Sequence, residues 1–300
     1  MPKWTVAADG SGDYTSIQEA IDAVRVHWEE RTVIWIKKGV YRERVTIPDN
    51  KPMISLVGES ETETIITYNL DANLRPNGGK PLGTFETSVL TVHGDDFTAE
   101  CLTVHNTAGV GPGIGQALAV YVSGDRAVFT NVRMLSYQDT LYTSKGRHYF
   151  KNCFIAGHVD YIFGGATALF HECEIHSLCN GYITAASTTA QTAFGYVFIG
   201  CKLTNGPEAD AVYLGRPWRP HAHVAFIHTW MGPHIRKEGW DNWRNPDNEK
   251  TARYMETGSW GPGGAMDGRV AWARTLDSDT AAEWTIERIF AGTDGWNPAG

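Results

Sequence analysis

Short alternations of apolar and polar residues recur through the middle of the chain. The phrases VFTNVRML, YFKNCFI, LFHECEI, VFIGCKL and AFIHTWM share one form. Each has a phenylalanine, two residues, a small or apolar residue, one more residue, then an aliphatic or aromatic one. The phenylalanines are Phe129, Phe150, Phe170, Phe198 and Phe226, at intervals of 21, 20, 28 and 28 residues. FTAECLTV, around Cys101, looks like an earlier copy with its phenylalanine shifted by one place. Alternation over a few residues marks a half-buried strand, and no helical periodicity lies between the copies. The spacing leaves room for two or three short strands and turns per repeat, each coil stacking on the next. This predicts an all-β fold, a right-handed parallel β-helix, with residues 1–300 forming a single domain. The longer intervals predict longer loops gathered on one face, the binding face.

The ends carry helical signals instead. Ser16 and Glu19 have capping-box spacing, and Ile17, Ala20, Ile21 and Val24 follow at helical intervals. An amphipathic helix there would cover the open apolar end of the first coil. Near the other terminus, TAAEWTIERIFAG predicts one short helix stopped by Gly292.

Composition narrows the function. The chain is 42% hydrophobic and 20% charged, so it can form a large core. Eleven tryptophans and twelve tyrosines suit both that core and a sugar-binding groove. A net charge of −8 without a dense Lys/Arg block argues against a nucleic-acid partner. No apolar run approaches the length of a membrane span. MPKWTVAADG has no apolar signal core, and the expectation is a secreted form with its leader removed rather than a cytoplasmic protein. A capped solenoid needs no partner, so a monomer is expected.

Four pieces stand out against this background: Gln116, the pair Gln138–Asp139, Asp160, and Arg216 with Trp218 in YLGRPWRP. Taken singly each has a plain structural explanation, such as an Asx-turn at Asp139 or a core role for Trp218. The repeat changes this. Asp139 lies ten residues after Phe129, and Asp160 ten after Phe150. Adjacent strands are about 4.8 Å apart, so the two carboxylates come together on one face. Two like charges that close cannot both ionise cheaply, and one pKa must rise. That is a poor structural device and a good chemical one.

These residues also fall in an ordered set of motifs: WTVAADGSGDYTSIQEAID, GVYRERVTI, GQALAVYV, SYQDTLY, GHVDYIFGGATALFHECEI, YLGRPW and ETGSWGPGG. Through them the chain, from Trp4 to Trp296, resembles the pectin methylesterases, carbohydrate esterase family 8. The resemblance implies the same β-helix, and an esterase acting on methyl-esterified homogalacturonan. It puts the nucleophile on Asp160, the general acid/base on Asp139 and oxyanion donors on Gln138 and Gln116. Arg216 would hold the nucleophilic carboxylate and lower its pKa, while Trp218, Phe163 and Val159 would line the sugar groove. The motifs depart from the usual pattern at Tyr161, where phenylalanine is commoner, and around Gln116, both bearing on fine specificity.

Neither a cofactor nor a metal is expected. His221 and His223 flank Ala222 but read as a solvated loop rather than a metal site, and no GxSxG elbow occurs. The rival functions are a glycosidase or lyase on a similar solenoid, an esterase or thioesterase for another acyl group or short oligogalacturonides, and a non-catalytic carbohydrate binder. The paired glutamines, the intact aromatic positions and the two aspartates with Arg216 speak against each in turn. Cys153 and Cys173 share one repeat position, within reach of a disulfide in an oxidising compartment, with free core thiols as the alternative.

Overall fold

The computed structural model describes residues 3–299. Among these, 21 strands join into one connected sheet with parallel pairings. The pairings sort into three ladders. The first climbs from Lys3–Val6 through Arg147–Lys151, Thr167–His171, Tyr196–Ile199 and His223–Ile227 to Arg253–Thr257 and Arg274–Thr275. The second begins at Gly39–Arg42 and Thr64–Tyr68 and includes the opening residues of Phe154–Gly164, Glu174–Ala186 and Lys202–Gly215. The third holds Val45–Ile47, Leu90–Val92, Val120–Val122 and Leu141–Thr143, then the later residues of those same long strands. The chain is a parallel β-helix, as the repeat predicts.

The repeat phenylalanines form its spine. Phe129, Phe150, Phe170, Phe198 and Phe226 pair directly, each with the next. Their rings stack at 5.0, 4.7, 4.5 and 4.4 Å. Offset-stacked aromatic pairs contribute about 0.5–1.5 kcal/mol beyond the area they bury. The earlier copy differs from expectation by one more place: Ala99 pairs with Phe129, so Phe97 stands two residues early. Its ring still reaches Phe129, at 5.6 Å and tilted. At the far end Phe226 pairs with Glu256, a fully buried carboxylate held by Arg269 and by the Trp240 indole N–H. A buried charge without partners would be costly, and Arg269 supplies the partner.

A second column turns the chain between the first two ladders. Cys101, Asn131, Asn152, Glu172, Gly200, His228 and Gly258 all have positive φ, between 48° and 63°. This left-handed conformation suits glycine and asparagine and costs other residues more. One step beyond it, Cys153, Cys173 and Cys201 make a third column. Their thiols are free, and each Sγ donates to a carbonyl of the preceding coil, from Phe129, Phe150 and Phe170. The expected pair is therefore a row of three, which singles out no one bridge. Burial pushes the Cys153 and Cys173 thiols well above their usual range.

At the N-terminal end the helix Ile17–Ala23 buries Ile17, Ala20 and Ile21 over the first coil. Ser16 caps it by accepting from Glu19 N–H at 3.4 Å. The reciprocal carboxylate is Glu43 rather than Glu19, accepting from Ser16 Oγ and the Ile17 and Gln18 N–H groups. The C-terminal signal resolves into two helices, Ser278–Ala282 and Ile286–Ile289, because Thr285 caps the second and interrupts the first. Phe290, not Gly292, closes the second. Both lie against the outer side of the first ladder, where Tyr149, Leu169, Val197 and Ile227 pack with Leu276, Ile289 and Phe290.

His223 also departs from expectation. It opens the strand His223–Ile227, is 3% exposed, and accepts the Gly195 N–H on Nδ1, so it belongs to the core rather than to a solvated loop.

Candidate active site

In the third ladder Leu141 pairs with Ile162, which sets Asp139 and Asp160 at one place on adjacent coils, two residues earlier. Both have positive φ, 65° and 51°, a conformation aspartate tolerates better than most residues. Each is nearly buried, at 8% and 6% exposure. Asp139 N–H donates to the Val159 carbonyl at 3.0 Å, tying the two turns together. Tight packing behind them explains two glycines. A Cβ at Gly157 would overlap Tyr161, and one at Gly181 would overlap the His158 carbonyl.

The two carboxylates face different partners. Arg216 donates from Nε to Asp160 Oδ1 at 2.9 Å and from Nη2 to Oδ2 at 2.7 Å. Such bidentate charge-assisted pairs are the strong class. Asp139 has no such cation. Burial and then the charge of Asp160 push Asp139 up to about 8, with Arg216 opposing. Burial also raises Asp160, while its hydrogen bonds to Arg216 work against that rise. Arg216 thus moderates the shift of Asp160 instead of taking it below the ordinary carboxylate range, and leaves it the more acidic of the two.

Around the pair lies a cavity of about 310 Å³, lined by Thr84, Phe85, Gln116, Gln138, Phe163, Ala185, Arg216, Trp218 and Trp243 together with both aspartates. Its floor is apolar: Leu118, Phe163 and Ala185 cluster with Tyr121, Tyr142, Trp218 and Trp243. Phe163 stacks on Tyr142 at 4.6 Å and meets Trp218 edge-on at 5.8 Å. The main chains of both glutamines are anchored, since Gln116 O accepts from Ala72 N–H and Gln138 O from Ala117 N–H. A larger cleft, about 680 Å³ between Thr46 and Gly146, holds none of these groups.

The sequence-selected residues Gln116, Gln138, Asp139, Asp160, Phe163, Arg216 and Trp218 therefore meet in one cavity. Val159 stands beside it, half-buried, and contributes its carbonyl rather than a wall. Tyr161 points away into the core, fully buried, with its hydroxyl on Ser177 Oγ at 2.9 Å, so this departure from the motif does not touch the groove. Among the described residues, no group of three or more His, Cys, Asp or Glu converges as a metal-binding set. None of the described helices is long and apolar enough to cross a membrane.

From residue 3 to residue 293 the chain matches the family model described as Pectinesterase. The chain belongs to the pectinesterase family. It is 42% identical over 284 residues to Pectinesterase 31 of Arabidopsis thaliana, covering 93% of this chain and 89% of that one. Its fold is similar to the pectin methylesterase from carrot, with a TM-score of 0.92 and 34% identity, over 100% of this chain and 96% of the other. A pectin methylesterase solved in complex with hexasaccharide VII aligns with a TM-score of 0.85 at 32% identity, over 98% and 97% of the two chains. The chain is accordingly a carboxylic ester hydrolase on a parallel β-helix.

This pectinesterase cavity also contains residues that the sequence patterns did not single out. Phe85 arrives from the long connection 69–89 and lies 4.8 Å from the Tyr142 ring. Trp243 arrives from the segment 232–252. Both belong to connections outside the repeat, so periodicity carries no signal for them. Within the longer interval from Phe198 to Phe226, the connection 216–222 does bring Arg216 and Trp218 to the cavity.

Proposed function

We propose that this pectinesterase hydrolyses the C6 methyl esters of galacturonate units in pectin, releasing methanol and leaving pectate, with Asp160 as nucleophile and Asp139 as general acid/base. The observation that carries the assignment is the asymmetry of the pair: one buried carboxylate gripped by Arg216 at 2.9 and 2.7 Å, the other without a cation and pushed up to about 8. Two carboxyl groups held apart in pKa take two roles. Ionised Asp160 attacks the ester carbonyl carbon, and negative charge moves onto the carbonyl oxygen. Side-chain amides of Gln116 and Gln138 face that oxyanion, and losing one such donor typically costs about 10²–10³ in rate.

As the intermediate collapses, the bond to the methoxy oxygen breaks and the Asp139 proton goes to it, giving methanol. The galacturonate is then an acyl group on Asp160. Water attacks that carbonyl, Asp139 takes the water's proton, and Asp160 leaves as carboxylate. The aromatic wall of Phe163 and Trp218 suits sugar C–H faces. Homogalacturonan as the polymer is consistent with the hexasaccharide complex of the related enzyme.

The two amide replacements separate the roles. Asp160→Asn removes the nucleophile and should release no methanol, not even one equivalent. Asp139→Asn keeps the nucleophile, and turnover should fall by about 10²–10⁴. With an ester whose leaving group needs no proton, Asp139→Asn should release one equivalent and accumulate an adduct, which mass spectrometry places on Asp160. An active Asp160→Asn protein, or an adduct on Asp139, overturns the assignment.

A further inference from the structure

Asp160 accepts side-chain hydrogen bonds from Arg216 alone among the described residues, so its orientation depends on that guanidinium. In turn, Arg216 spends its Nε and Nη2 donors on Asp160, and hydrogen bonds fix only one edge of the group. Its two faces are fixed by rings. The Cζ atom lies 3.8 Å from the Tyr182 ring centroid on one side and 3.8 Å from the Trp243 centroid on the other. Behind Tyr182 the stack continues: Tyr213 lies parallel at 5.3 Å and 8°, and Arg236 sits 4.8 Å from the Tyr213 ring. The fold makes this stack, because Val159, Tyr182 and Tyr213 are register partners on three successive coils. Tyr182 is outside the lining of the catalytic cavity. It borders a separate cavity of about 310 Å³ with Asp241, Trp243 and Arg244, on the other side of Arg216.

We propose that Tyr182 is a positioning residue for the esterase reaction: its ring, opposite Trp243, clamps the Arg216 guanidinium so that Asp160 is held in its attacking orientation. Cation–π contact is strongest where water is excluded, and a guanidinium between two rings cannot rotate out of the plane of the carboxylate it grips. The proposal rests on Asp160 being the nucleophile. The ring face is what matters, and the phenol hydroxyl is dispensable.

Two variants test this. Tyr182→Phe keeps the ring and should keep kcat within about threefold of the parent, while Tyr182→Leu removes it. Misplacement of a reacting group by an ångström costs up to about 10²-fold, so kcat of Tyr182→Leu should fall about 10–10²-fold. KM for pectin should stay within about twofold, since uniform substrate binding is untouched. The acidic limb of the kcat–pH profile should also move to higher pH. Asp160 would still be buried and face the charge of Asp241, against a less well-held Arg216. Unchanged kcat and pH limb in Tyr182→Leu, equal losses in the Phe and Leu variants, or a KM effect alone would each overturn the proposal. Tyr182→Met, which keeps apolar bulk without a ring face, is the second variant should Leu not fold. Failure of both to fold would make the ring a core element and also overturn it. Activity in Asp160→Asn would instead refute the underlying nucleophile assignment, whatever Tyr182 does.

Discussion

Asp139 and Asp160 occupy equivalent places on neighbouring coils, yet only one has a cation, and this difference has a consequence for stability. Asp139 titrates near 8 in the folded protein against an ordinary value of 3.8. Between those values the unfolded chain has lost the proton that the native state still holds. The native state therefore binds more protons, and stability falls as pH rises across the window. Asp139→Asn has no proton to lose. Its Tm should match the parent near pH 4 and exceed it increasingly up to pH 8, with the gap levelling above that. A gap that is flat from pH 4 to 8 by differential scanning calorimetry would show that Asp139 is not held protonated. The pairing of the two aspartates was legible in the sequence because both fall ten residues after a repeat phenylalanine. The roles of Arg216 and the glutamines needed the family motifs. Tyr182 and Trp243 were not legible, since rings 34 and 27 positions away from the arginine they clamp leave no local pattern.

The element that decides each coil's shape is the left-handed corner, and its residues are uneven. Asn131, Asn152, Gly200 and Gly258 suit positive φ, whereas Glu172, at φ 55°, does not. Glu172 is exposed, and its backbone N–H already bonds to the Ile199 carbonyl. Glu172→Asn should therefore relieve about 1 kcal/mol of backbone strain and raise Tm by about 2 °C. Thermal scans in which Glu172→Asn melts lower than the parent would mean that the carboxylate stabilises the corner by some other contact. The corner was present in the repeat all along, at the second residue after each phenylalanine: Asn131, Asn152, Glu172, Gly200, His228. Apolar periodicity does not mark it, because that pattern tracks side-chain burial, while this column is defined by backbone conformation. The same limit explains the C-terminal helices. Apolar spacing ran on through Trp284 and Ile286, and only the Thr285 cap, a local hydrogen bond to Arg288 N–H, divides them.

At the scale of the whole molecule, the two ends are closed by different means. The N-terminal helix covers the first coil, while the far end of the phenylalanine spine finishes on the buried Glu256–Arg269 pair. The C-terminal residues are thereby free to run along the side. Leu276, Ile289 and Phe290 cover Tyr149, Leu169, Val197 and Ile227 on the outside of the first ladder. Arg147 then locks the strap, donating to Asp294 Oδ1 at 2.8 Å and Oδ2 at 2.6 Å with its guanidinium 5.4 Å from the Trp296 ring. Hydrogen bonding to Arg147 holds the Asp294 carboxyl well below the ordinary carboxylate range. Asp139 and Asp160 lead into the third ladder, so the strap and the proposed active site are on different faces. A chain ending at residue 275 should therefore separate stability from catalysis. Exposing four large side chains at roughly 1.5–3 kcal/mol each should lower Tm by about 10–20 °C and promote aggregation through the uncovered apolar face. Assayed well below its new Tm, the soluble protein should release methanol from pectin with kcat within about twofold of the full chain. An unchanged Tm would show that the strap merely rests on the ladder. A tenfold fall in kcat for folded, truncated protein would show instead that the first face is coupled to the groove, through the core packed between them.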